Sequence, residues 1–343
     1  MKPLKYLFIS SMLFAATSCG NSWLDLEPST SVDTETSIKI LSDVEFTLNG
    51  IYSTMQSSDA YSGRLVYYGD VTGDDMQAVS STKRVANYYR FNFTKDDNPS
   101  SHWSYLYSII QNCNLILMNI DKLVIDEDDK AYRDDLKGEA LAIRGLALFD
   151  LTRIFGYPYL KDDGASLGVP IIEGLSTIDS KPTRNTVAQC YTKIIDDLTQ
   201  SLSLLGEKFN KGKINKWGAM VLLSRVYLYK GENANALKMA SDAIIGAEKN
   251  KYALWTNEDY PTAWGEDASA SKPGEVLFEI VNLTTDSPGK ESMGYLNSYD
   301  GYDDMCITCS FYQFLKEDPK DIRLKLLSFD KKYYAYVDRK SVV

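Results

Sequence analysis

The chain has a single histidine, His102, among its 343 residues. That scarcity removes most imidazole chemistry, because a His-built metal set or a pair of His ligands cannot be assembled from one residue. His102 stands just before Trp103, where a helical pattern begins, a place that suits capping or packing better than catalysis. No G-x-S-x-G, P-loop or H-E-x-x-H motif is present. Positive charge is also in deficit: 37 Lys and Arg face 47 Asp and Glu, a net charge of −10. This argues against nucleic acid and anionic lipid surfaces as direct partners. Long hydrophobic runs are missing too. The stretch Tyr6–Ala16 (YLFISSMLFAA) falls short of the roughly 20 apolar residues that span a bilayer, and no later segment is apolar enough.

What that short stretch does have is the shape of an export signal. Lys2 and Lys5 precede it, and it ends in Ala16-Thr17-Ser18-Cys19. Small residues before a cysteine suit a lipoprotein signal peptidase, and the Cys19 thiolate is the group that accepts the lipid. Residues 1–18 therefore read as a lipoprotein signal peptide and 19–36 as a lipidated tether. Two acyl chains on the glyceryl group, and a third on the amine, would anchor the body stably where one chain would not.

Of the five cysteines, Cys113 and Cys190 sit singly in helical patterns and read as buried apolar residues. Cys306-Ile307-Thr308-Cys309 is a C-x-x-C pair. One histidine and no second pair make a zinc site untenable, and the βαβ context of a thioredoxin motif is absent. A local disulfide and two free thiols both remain open.

Residues 37–343 form the body, and its periodicity is helical. Leu41, Val44, Leu48, Ile51 and Met55 predict a helix near 37–57. A polar, Tyr-rich stretch from Gly69 to Ser101 has no clear period. Further helices are expected near 102–121, 131–155 (stopped by Gly156 and Pro158), 184–204, 216–229 (capped by Asn215) and from Glu232 or Asn233 to Lys249. In the last two, Leu223, Ser224, Tyr227, Ala236, Ala240 and Ala243 have the offsets of a tetratricopeptide unit, with small residues where two helices cross. The helical core covers about 102–250. A loop-rich region, 251–343, follows, with a strand at Glu275–Val281 (EVLFEIV), a short helix near 309–316 and a second candidate strand at Lys331–Val337. The ending Arg339–Val343 has no capping element and reads as a cut within a domain.

Several ordered segments resemble the SusD/RagB family of outer-membrane nutrient-binding lipoproteins of Bacteroidetes. They are Trp23-Leu24-Asp25 with Pro28 after the cysteine; His102–Tyr107 with Asn112–Asn114; Gly138–Arg144, Phe149–Leu151 and Phe155–Pro158; Arg184 with Val187–Leu198; and Asn215–Trp217 with Ser224–Tyr229. The resemblance implies a mainly α fold, with tetratricopeptide-like helix pairs supporting a looped ligand-binding face and a few short strands. Family members are longer, so part of the fold's C-terminal region is expected to be missing. The resemblance also implies a function: capture of an oligosaccharide, or another nutrient, at the outer membrane's external face, and delivery to a SusC-like TonB-dependent transporter. It implies no catalysis and no cofactor. Two alternatives come from other classes: a tetratricopeptide scaffold lipoprotein binding protein partners in the envelope, and a lipid-anchored glycoside hydrolase. Carboxylates are plentiful enough for the latter, but its general acid needs a special environment. Asp126–Asp129 reads as a solvated connection, since a calcium loop would show spaced ligands and a glycine.

Sugar binding needs aromatic faces for the C–H faces of pyranose rings and planar polar groups for hydroxyl pairs. Two loops supply both. One contains Asp74, Asp75, Arg84, Asn87, Tyr88, Tyr89 and Arg90; the other contains Tyr295, Asn297, Tyr299 and Tyr302. Trp255 and Trp264 add a third. Each aromatic has packing of its loop onto the helical body as its competing role.

Overall fold

The computed structural model describes residues 37–94, 100–177, 179–263, 274–283, 285–286, 288–298, 300–328 and 336–337. The expected signal peptide, Cys19 and the tether lie outside the described residues, as do Trp264 and Tyr299. The chain divides into two units, Met1–Lys39 and Ile40–Val343. The second is the body.

The Ile40 amide donates to the Asp43 carboxylate at 3.0 Å and so satisfies a free N–H at the start of α1 (Leu41–Met55). Val44, Leu48, Ile51 and Met55 form its buried face. The aperiodic stretch beyond it is more ordered than its pattern suggests. It holds α2 (Arg64–Thr72), β1 (Met76–Ala78) and the single turn α3 (Ala86–Tyr89). Elements this short take their stability from tertiary packing, which leaves little periodic trace.

Next come α4 (Ser100–Asn119) and α5 (Lys130–Phe155). The connection between them, including Asp126–Asp129, is exposed as expected. In α5 every residue from Gly138 to Thr152 is buried, so this helix is the centre of the body. It packs on α4 and on α6 (Val187–Leu204). The start of α6 is later than its pattern predicts. Asn185 instead pairs with Gly168 and Val169 through backbone hydrogen bonds of 2.8 and 3.2 Å. Thr186 then makes a capping box with Gln189.

The pair α7 (Lys216–Lys230) and α8 (Asn233–Lys249) matches its expected bounds within a residue. Asn215 Oδ1 accepts from the amides of Trp217 and Gly218, at 3.1 and 3.0 Å. Gly231, with φ of +84°, closes α7 in the left-handed region. Ala236 and Ala243 are buried, and Ser224 Oγ donates to the Ala236 carbonyl across the pair at 2.8 Å. The crossing is close: a Cβ at Gly246 would lie 2.0 Å from Trp217 Cζ3.

The later region adds α9 (Tyr260–Ala263), α10 (Met293–Asn297), β2 (Met305–Ile307), α11 (Cys309–Lys316), β3 (Leu327–Ser328) and β4 (Tyr336–Val337). β3 and β4 pair antiparallel, which supports a strand at the end of Lys331–Val337; residues 331–335 lie outside the described residues. The strand expected at Glu275–Val281 is not formed. The segment is irregular and has no ladder partner among the described residues. Strand propensity alone cannot make a ladder, and Phe278 packs against Tyr52, centroids 6.4 Å apart, and beside Gly218.

Two polar groups tie the buried helices. Arg144 on α5 donates to both Asp197 oxygens on α6, at 2.8 and 2.7 Å, and to Asn114 Oδ1 on α4, at 2.9 Å. Asn114 passes the link on to the carbonyls of Ile172 and Gly174. On the other side of α5, Tyr52 donates to Glu139 at 2.6 Å while accepting from the Ile214 amide at 3.0 Å. Burial pushes the Glu139 carboxyl up to about 7. Cys113 and Cys190 are buried thiols, as their settings predicted.

Candidate functional site

The two loops singled out for sugar chemistry are more than two hundred residues apart in sequence. β1 and β2 bring them together. Met76 pairs with Ile307, Gln77 with Cys306 and Ala78 with Met305. The pairing extends at both ends: Val79 donates to Asp304 O at 3.2 Å, and Thr308 donates to Asp75 O at 2.9 Å. Thr308 Oγ1 also donates to the carbonyl of Asp74, which has φ of +67°. Behind this ribbon, Tyr67, Val71, Val85, Tyr88 and Leu296 form a local core with Met76, Met305 and Ile307.

The C-x-x-C pair lies here too, as two free thiols. Cys306 points inward from β2, where burial pushes its thiol up; Cys309 is exposed at the start of α11.

On the surface of the ribbon, Arg84 is the hub. Its Nε donates to Asp304 at 2.9 Å and its Nη1 to Glu291 at 2.8 Å. The guanidinium carbon lies 3.9 Å from the centroid of the Tyr302 ring. Tyr302 in turn meets Tyr295 edge-to-face at 5.1 Å. Lys83 Nζ donates to the Tyr302 carbonyl at 2.6 Å, which holds the loop that carries the ring. A cation between two carboxylates and over an aromatic face is fixed in position, so its planar edge and the ring beside it form a rigid polar–aromatic surface.

A second group of aromatics adjoins Tyr88. Phe93 packs against Tyr88 at 5.9 Å and against Phe91 at 6.3 Å. Phe91 is 62% exposed, Phe93 39% and Tyr89 38%. His102 belongs to the inner side of this group: it is buried, edge-on to Tyr68, with Nδ1 3.1 Å from the Asp59 carbonyl. Burial lowers its pKa, which favours the neutral ring and the packing role expected for it.

The expected site residues thus divide. Arg84, Tyr295 and Tyr302 come together. Asp74, Asp75, Tyr89 and Arg90 are exposed nearby in the chain, and Asn87 is half-buried. Tyr88 and Asn297 are buried, so they support the loops from beneath. Trp255 is elsewhere: its amide donates to Glu275 at 3.0 Å and its ring packs against Gly274 and Tyr260. Glu291, Asp304 and Phe93 were not singled out in sequence. Their signal was only position: Asp304 follows the Tyr-rich loop, and Phe91-Asn92-Phe93 continues the first. No group of three or more His, Cys, Asp or Glu among the described residues is placed to hold a metal ion.

A family model, SusD-like, described as starch-binding and associating with the outer membrane, matches residues 22–228. The chain belongs to the SusD-like family. Among solved structures, a sugar-binding protein of Bacteroides vulgatus is 82% identical, with a TM-score of 0.86 over 89% of this chain and 68% of its own. A SusD superfamily protein of the same species is 36% identical, with a TM-score of 0.82 over 89% of this chain and 69% of its own. A laminarin-binding SusD-like protein shares the fold at 18% identity, with a TM-score of 0.70. SusD-like protein P2 of Formosa agariphila is 28% identical over 311 residues, 88% of this chain and 57% of that protein. The chain spans between 38% and 57% of the three curated SusD-like relatives it matches. The mainly helical architecture with few strands is that of the family.

Proposed function

We propose that this SusD-like chain captures an oligosaccharide at the outer membrane and passes it to a SusC-like TonB-dependent transporter, held there by lipid on Cys19. The carrying observation is the cluster of Arg84, Asp304, Glu291, Tyr302 and Tyr295. It places planar hydrogen-bonding groups beside aromatic rings on the face where two distant loops meet. The family description, starch-binding and associating with the outer membrane, supports the ligand class and the membrane. No described helix is long and apolar enough to cross a membrane. Both carboxylates of the cluster are engaged by Arg84, an arrangement that suits holding a ligand better than protonating a glycosidic oxygen.

The test is affinity electrophoresis and calorimetry of the chain, from residue 20 onward, against a panel of polysaccharides. At least one should bind, unhydrolysed, and binding should depend on Tyr302. Binding that ignores Tyr302, Tyr295 and Tyr89 alike would move the site off this face. Release of shorter products would replace the capture reading with a hydrolase.

A further inference from the structure

The single turn α3 ends in a way that its sequence opposes. The Phe91 amide donates to the Tyr88 carbonyl at 3.1 Å and the Asn92 amide to the Asn87 carbonyl at 2.9 Å. This pair of bonds closes a helix with one residue in the left-handed region, where glycine is usual because a side chain is disfavoured there. Helix α7 ends by the same two bonds, Gly231 to Leu228 at 3.0 Å and Glu232 to Tyr227 at 2.9 Å, and it does place a glycine, Gly231 with φ of +84°. In α3 the residue at that place is Phe91, with φ of +54°. Burial does not offset the strain: the ring is 62% exposed and meets Phe93 edge-to-face, centroids 6.3 Å apart. Phe93 itself is fixed by Tyr88 at 5.9 Å and Tyr68 at 6.3 Å. A bulky residue held in a disfavoured backbone conformation, with its ring left in water, points to contact with something outside the chain.

We propose that Phe91 and Phe93 form a second sugar subsite, separate from the Arg84 cluster and binding another unit of the same oligosaccharide. This rests on the capture reading above. Two part-exposed rings fall far short of the about 800 Å² per side that a stable protein interface buries. They suit the C–H face of one pyranose ring. Arg90 and Asn92, exposed on either side of Phe91 in the chain, offer planar hydrogen-bonding groups for its hydroxyls. Arg84 and Phe91 flank α3, so roughly 10 Å of helical rise separates their backbones. One sugar ring cannot cover both. The two positions together therefore select a chain of several sugars over a disaccharide.

Phe91→Gly separates this role from packing. Calorimetry of the chain from residue 20 onward would use amylopectin, β-glucan, xylan, galactomannan and pectin, then the disaccharide and hexasaccharide of whichever binds most tightly. The unaltered chain should hold the hexasaccharide at least about tenfold more tightly than the disaccharide. Phe91→Gly should lose that gain while its melting temperature stays level or rises, because glycine accepts a φ of +54° freely. A gain kept in the variant, or no gain with length in the unaltered chain, overturns the proposal. So does a melting temperature lowered by several degrees, which would make the ring a packing element. Binding that needs Tyr302 and ignores Phe91 sinks the second subsite and leaves the capture reading standing. Failure of every polysaccharide to bind removes both.

Discussion

Arg84 shows how a single side chain can organise a surface. Its charge is matched by Asp304, whose side chain is 6% exposed, and by the more open Glu291. Removing Arg84 would strand a buried carboxylate, so loss of binding in that variant would mix with loss of fold. Tyr302, 37% exposed, is the cleaner probe. Tyr302→Ala should weaken binding of a recognised polysaccharide about tenfold or more, with little change in melting temperature. Glu139 carries a prediction of another kind. Its folded pKa, about 7, lies above its ordinary value of 4.5, so folding takes up a proton between those limits. The associated stability is fully present below about 4.5 and is lost as pH rises through 7. In urea titrations at pH 5 and pH 8, Glu139→Gln should lose this share of the slope. Its stability relative to the unaltered chain should rise with pH, by on the order of 2–3 kcal/mol at most. An unchanged difference across that range would mean that Glu139 titrates normally.

Among the elements, the helix pairs depend on glycine where backbones meet ring or chain. A Cβ on Gly246 would lie 2.0 Å from Trp217 Cζ3. The indole cannot swing away freely, because its Nε1 donates to the Glu207 carbonyl at 3.2 Å and it packs with Met220, Ala243 and Ala247. Gly246→Ala should therefore cost about 1–3 kcal/mol despite the better helix former. Gly50 on α1 is the control: it is exposed, and a methyl group there would meet nothing within 4 Å. Gly50→Ala should stabilise by roughly 0.5–1 kcal/mol, as helix propensity alone dictates. Opposite signs in chemical denaturation would confirm that contact, not propensity, decides the α7–α8 crossing.

At the scale of the whole body, α5 is the shared wall between α4 and α6, and Arg144 is its polar fastening. Truncation in Arg144→Ala leaves Asp197 and Asn114 Oδ1 without their common donor and frees the Asn114 amide that holds the carbonyls of Ile172 and Gly174. A loss of about 3–5 kcal/mol is expected, read as a lower denaturation midpoint for the body. A shift under roughly 1 kcal/mol would show that the network is not structurally important. The same helix explains why its own pattern was only partly informative. A helix buried from Gly138 to Thr152 has no polar face to contrast with an apolar one, so its ends were legible from Gly156 and Pro158 more than from its period.

Local sequence was enough to place the long helices, the cap at Asn215, the exposed Asp126–Asp129 connection and the two aromatic loops. Each of these is set by interactions within a few residues, which a linear reading captures. Order among the resembling segments also pointed to the family. Tertiary structure alone decided that β1 and β2 join the loops, that Arg84 pairs with Asp304 and Glu291, and that Tyr88 and Asn297 turn inward while Tyr302 faces out. It also decided that EVLFEIV forms no ladder among the described residues. The physical reason is common to all four: a strand ladder, an ion pair or a buried ring needs a partner distant in sequence, and residue type states what a group can bond with, not which group the fold will bring to it.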